Sequence, residues 1–241
     1  MNRRVVVIET VRSIVEPDRG WLYDYQTLLT GLLAVLAAAA AWWSTNGQLR
    51  AMKQDRNGRM RAARAVLPAT LSGLCDYAEG VVRALRSLLP AEARLYPEMI
   101  NLFADFHGVG VVPKLAPELI QPLERMVELT PVKEVAEQIE AILREAQVLD
   151  ARTRGFDVGT SLSYHEWAGR IVDAAALYAR AESLFPFARR QTDKFALGDL
   201  WPRVGAALTI FGVRERWILE VAEEQRTAGL PPGEANTPDV G

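Results

Sequence analysis

Side chains that carry chemistry are scarce in this chain of 241 residues: two histidines, His107 and His165, and one cysteine, Cys75. Metal sites on helices place histidines four apart or pair a histidine with a glutamate three residues before it, and neither spacing occurs. One cysteine excludes an intramolecular disulfide and any zinc site with two Cys ligands. His165 follows Ser163 in a first helical turn, where a surface side chain is expected. His107, between Asp105 and Gly108, fits a helix C-terminus, where its charge complements the dipole. Cys75 adjoins Leu74 and reads as a small buried thiol rather than a nucleophile. Gly108-Val109-Gly110 lacks the third glycine, the lysine and the preceding strand of a nucleotide loop. No Gly-x-Ser-x-Gly elbow is present. No catalytic, cofactor-binding or metal-binding residue is therefore expected, and no cofactor.

The elements tell more than the reactive groups. The composition is that of a folded protein, 49% apolar and 24% charged, with a net charge of −2. It excludes a disordered chain and a strongly basic nucleic-acid binder. The charge is unevenly spread. Tyr25 to Leu49 carries none, whereas Arg50, Lys53, Arg56, Arg59, Arg61 and Arg64 follow against Asp55 alone. Beyond them acid outnumbers base. That acidic remainder repels phosphate, so no nucleic-acid partner is expected.

The uncharged stretch predicts a single membrane-spanning helix over residues 25–45. From Tyr25 to Trp43 it extends about 27 Å at ~1.5 Å per residue, close to a bilayer core. Trp21, Tyr23 and Tyr25 at one end and Trp42 and Trp43 at the other are placed as two interfacial aromatic belts. Insertion is modest: Leu28, Leu29, Leu32, Leu33, Val35 and Leu36 contribute roughly −2 to −3.6 kcal/mol, and the alanines almost nothing. A buried helix of a soluble protein is also apolar all round, but has no need of both belts. A cleavable signal peptide is disfavoured by the four acids before the apolar run. Thr27, Gly31, Ala34 and Ala38 line up as a small-residue stripe that would let two helices approach, so a homodimer through the span is one expected partner, with the lipid bilayer.

Basic residues prefer the cytoplasmic side. Six follow the span closely, against Arg12 and Arg19 before it. The expected topology is N-terminus outside and C-terminal domain cytoplasmic. Arg50, Lys53 and Arg56 would lie near anionic headgroups.

The remainder predicts an all-α bundle. Leu67, Leu71, Leu74, Ala78, Val81, Leu85 and Leu88 alternate steps of four and three, as do Val132, Val135, Ile139, Ile142, Ala146 and Leu149. A third seam runs through Trp167, Ile171, Ala174, Tyr178, Ala181 and Phe185. Three such seams argue for long helices packed at shallow angles. Pro68 should kink or start a helix, and Thr130 before Pro131 should cap one. Ser163 with Glu166 forms a capping-box pattern. Asp199 should cap a helix running toward Gln225, and helices are expected near Glu98 to Phe106 and from Pro117 to Leu129. Phe185-Pro186-Phe187 is a break that would expose an apolar patch. The expected organisation is an N-terminal arm (1–24), the span (25–45), a basic juxtamembrane helix or stalk (46–66), a helical bundle domain (67–226) and a disordered tail (227–241).

Tyr25-Gln26-Thr27-Leu28 at the start of the span, Gly31-Leu32-Leu33-Ala34 within it, Arg64-Ala65-Val66-Leu67-Pro68, and Leu74-Cys75-Asp76-Tyr77-Ala78 together resemble uncharacterised single-pass inner-membrane proteins of proteobacteria. The resemblance covers residues 22 to 85. It implies a bacterial source and a membrane address, and it carries no activity. The function expected is that of a membrane-anchored, non-enzymatic interaction or scaffold protein. The alternatives are a ligand sensor with a pocket in the bundle, or a hydrolase or transferase with a site assembled around His107 or His165.

Overall fold

The computed structural model describes residues 19–89, 112–154, 163–193, 195 and 198–228, without the side chains of 19–24 and 27. The expectations for residues 1–18, for the helix near Glu98, for His107 and its glycine loop and for 229–241 lie outside the described residues, as do the side chains of Trp21, Tyr23 and Thr27. Among the described residues every regular element is a helix. In chain order these are α1 (Arg19–Leu88), α2 (Pro117–Leu129), α3 (Lys133–Arg154), α4 (Tyr164–Ser183), α5 (Phe185–Ala188), α6 (Trp201–Ile210) and α7 (Arg216–Thr227). The chain divides into two compact units, Met1–Asn57 and Gly58–Gly241.

Pro68 does not start a helix: it lies inside α1, whose 70 residues are continuous. Its missing N–H removes one hydrogen bond to the Arg64 carbonyl, and flanking turns carry the helix past it. Thr130 ends α2 rather than starting α3: its N–H donates to the Met126 carbonyl at 2.9 Å, and α3 begins at Lys133. The Thr130 hydroxyl still accepts from the Val132 N–H at 3.4 Å. The capping box at α4 is formed, with the Glu166 N–H on Ser163 Oγ at 3.3 Å and the Ser163 N–H on Glu166 Oε2 at 2.8 Å. Asp199 Oδ1 accepts from the Trp201 N–H at 3.0 Å, but the cap position of α6 is Leu200, whose side chain makes no capping bond, so Asp199 stands one residue outside the cap.

The helix expected from Leu200 toward Gln225 is two helices. Gly212 adopts φ +69°, the left-handed conformation that glycine takes without penalty. The Val213 N–H reaches back to the Leu208 carbonyl and the Gly212 N–H to that of Thr209, both at 3.0 Å. This pair of bonds is a Schellman stop, which satisfies the last carbonyls and turns the chain.

In the second unit, Leu67, Leu71, Leu74, Ala78, Val81 and Leu85 of α1 are fully buried, as are Val135, Ile139, Ile142, Ala146 and Leu149 of α3. α4 is the central element: it contacts α3, α6 and α7, and Ala174, Ala175 and Ala176 are all buried. Three consecutive buried residues point to three different sides of a helix, so alanine serves where neighbours close in from every direction. Close approach also explains Gly73, where a Cβ would sit 2.6 Å from Leu119 Cδ2.

Candidate functional site

The first candidate is the apolar run of α1. It is the one helix among the described residues long and apolar enough to cross a membrane, and none of its apolar window is buried. Leu28, Leu33, Val35 and Trp42 are 64–68% exposed, and Trp43 is 78% exposed. Two hydroxyls of the run are satisfied within the helix: Thr30 Oγ1 donates to the Gln26 carbonyl at 2.7 Å and Thr45 Oγ1 to that of Ala41 at 2.9 Å. Tyr25, Ala34 and Ala38 are exposed, and a Cβ added at Gly31 would meet nothing within 4 Å.

The basic run that follows separates into two kinds of residue. Arg50, Lys53, Arg56, Arg59 and Arg61 are exposed. Arg64 is buried and fully engaged. Its Nε donates to the Phe187 carbonyl at 2.8 Å, its Nη2 to that of Thr192 at 2.8 Å, and its Nη1 to Asp193 Oδ1 at 2.7 Å. The guanidinium lies 4.2 Å from the centroid of the Phe187 ring. Phe187 itself is 1% exposed. The break at Phe185-Pro186-Phe187 therefore offers no apolar patch through Phe187; it is the socket that Arg64 fills.

The second candidate is a row of buried polar groups between α3 and α4, which the apolar seams did not reveal. Arg180 Nε and Nη2 grip the Glu145 carboxylate at 3.0 and 2.8 Å. One heptad along, Arg152 Nη1 donates to Asp173 Oδ2 at 2.6 Å. Gln138, one heptad from Glu145 the other way, accepts from Arg180 Nη1 at 3.3 Å and donates to Ser183 Oγ at 3.3 Å. Gln138, Glu145 and Arg152 advance by seven while Arg180 and Asp173 retreat by seven, so the row fixes an antiparallel register. The signal was present in the sequence, as polar residues at heptad spacing on the inner side of two apolar seams. Burial pushes the Glu145 carboxyl up to about 7 against the pull of Arg180. Burial also raises the Asp173 carboxyl, opposed by Arg152 and Arg170.

Two further groups pin the edges. Arg86 binds Glu215 through Nε and Nη2 at 3.0 and 2.9 Å and the Phe211 carbonyl through Nη1 at 3.0 Å. Asp150 Oδ1 accepts from the Leu115 N–H at 2.9 Å, and Asp150 also pairs with Arg154. Beside Asp150, a cavity of about 700 Å³ lies between α2 and α3, lined by Leu115, Ile120, Gln121, Gln147 and Arg154 among others.

His165 is exposed and packs on Tyr164, ring centroids 4.0 Å apart. Among the described residues no group of His, Cys, Asp and Glu could hold a metal ion. Cys75 is half-buried, and burial, with Asp76 and Glu182 nearby, pushes its thiol up to about 12. No protein-family model, curated protein or solved structure matches the chain.

Proposed function

We propose that the chain is a single-pass membrane protein whose span lies within residues 25–45 of α1, with the N-terminus outside and the helices from Ala63 to Thr227 forming a cytoplasmic bundle. Its role is that of an anchored, non-enzymatic interaction or scaffold domain in a bacterial inner membrane. The observation that carries the anchoring is that, among the described residues, none of the apolar window of α1 is buried. A core helix of a soluble domain would be mostly buried, whereas Leu28, Leu29, Leu32 and Leu33 present their side chains outward on all sides. Internally satisfied threonines suit a medium without water. The cavity between α2 and α3 supports a second reading, a small-molecule sensor, because its volume falls in the range of ligand sites.

Topology is the test. Cys75 is a poor probe, because a half-buried thiol held near 12 carries little thiolate at neutral pH. A Cys75→Ala chain with Ala206→Cys places a thiol on the exposed face of α6. Membrane-impermeant maleimide should leave it unlabelled in intact spheroplasts and label it after permeabilisation, in the membrane fraction. Labelling in intact spheroplasts would reverse the orientation; recovery in the soluble fraction would remove the anchor.

A further inference from the structure

We propose that Arg50, Lys53 and Arg56 form a binding collar for anionic lipid headgroups, separate in role from Arg64. The inference rests on the membrane reading above and names the lipid class that the anchor selects. Arg64 cannot take part: its guanidinium is buried and committed to Phe187, Thr192 and Asp193. Arg50, Lys53 and Arg56 are exposed and have no ion-pair partner among the described residues.

Five exposed basic residues elsewhere are laced to acids one turn away: Arg83 with Glu79, Lys133 with Glu137, Arg154 with Asp150, Arg216 with Glu220 and Arg226 with Glu223. Arg61 and Arg125 lack such a partner too, but the collar sets three such cations in succession at one helical spacing. Around the collar the positions three and four residues away hold Asn46, Gly47, Leu49, Met52, Gln54, Asn57, Met60 or another cation, and no acid. Arg50, Lys53, Arg56 and Arg59 stand three apart, so like charges are neighbours on the helix surface. In water that arrangement disfavours the helix, and an external anionic surface reverses the sign. Nucleic acid would supply anions too, but the excess of acid beyond the collar opposes a polyanion approaching from that side.

Distance sets the order of importance. With Trp43 at the interface, Arg50 lies about 10 Å further along the axis, Lys53 about 15 Å and Arg56 about 20 Å. The headgroup layer is about 5–7 Å thick. Long side chains reach back toward the headgroups, and screening weakens the most distant charge. A cation close to the surface is worth about fivefold in preference for an anionic lipid.

The test uses the full chain reconstituted in vesicles, with quenching of Trp42 and Trp43 by brominated acyl chains. Brominated phosphatidylglycerol in plain phosphatidylcholine is compared with brominated phosphatidylcholine in plain phosphatidylglycerol at low salt. The expected result is a preference of at least fivefold for the anionic lipid, falling to none in the triple Arg50→Gln, Lys53→Gln, Arg56→Gln chain. Single substitutions should lose preference in the order Arg50, Lys53, Arg56. Quenching by both lipids without preference would overturn the collar and leave the anchor standing. No quenching by either would overturn the anchor itself. Equal losses from the three single variants, or loss of preference in inorganic phosphate but not in sodium chloride of the same ionic strength, would overturn a lipid surface in favour of a local phosphate site.

Discussion

A guanidinium cannot discharge itself, and a carboxylate can. This difference governs the buried pair of Arg180 and Glu145. Removing the acid in Glu145→Ala leaves a buried, permanently charged Arg180, and a loss of about 3–5 kcal/mol is expected by urea denaturation. Arg180→Ala should cost less, because the stranded Glu145 takes up a proton and becomes neutral. Equal losses from the two would contradict that account. The pH dependence has a definite sign. Glu145 titrates near 7 in the folded chain against an ordinary value of 4.5, so the folded state holds its proton more tightly than the unfolded state. The stability this group contributes is complete below about pH 4.5 and is lost as the pH rises through about 7. Glu145→Gln keeps an acceptor for Arg180 and cannot ionise, so stability should vary less between pH 4.5 and 7 than in the parent chain, as read by denaturation midpoints.

At the scale of the element, two glycines seven residues apart, Gly205 and Gly212, make opposite predictions. Gly212 has φ +69°, and a Cβ there would meet only Arg86 Nη1 at 3.8 Å. The penalty of Gly212→Ala is therefore one of backbone conformation, about 1–2 kcal/mol. Gly205 lies inside α6 with open space around the Cβ position. Gly205→Ala should stabilise by about 0.5–1 kcal/mol, because alanine restricts the unfolded chain and favours the helix. Thermal melts of the two variants should move in opposite directions. The same contrast hides the boundary between α6 and α7 from the sequence: apolar spacing continues across Gly212, but the sign of one backbone angle does not follow from composition.

For the whole molecule, the division at Asn57–Gly58 separates an exposed apolar helix from a packed helical unit. A chain beginning at Gly58 keeps every buried apolar residue among those described, from Ala63 to Val221, as well as the Arg64 socket. It should be soluble without detergent and unfold in one cooperative transition, whereas the full chain should need detergent for extraction. Loss of cooperativity in the truncated chain would show that the first unit contributes to the core. Arg64→Ala in the truncated chain should weaken the α5 region, which hydrogen exchange of the backbone amides of Arg189 to Thr192 would register.

Composition and spacing were sufficient for the helical class, the exposed apolar run, the bounds of α2, the capping box at α4 and the cores of all three seams. These depend on which residues recur at helical period, and each position contributes through its own burial or its own local hydrogen bond. The partners of charged residues were beyond reach. Arg64 reads as one more member of a basic run, yet it is buried because the carbonyls of Phe187 and Thr192 converge on it from more than 120 residues away in the chain. Glu145 and Arg180 read as polar interruptions until α3 and α4 are set side by side in opposite directions. Hydrophobic burial is additive along a sequence and so can be counted there; an ion pair requires two particular atoms at one place, and that place exists only after the helices have packed.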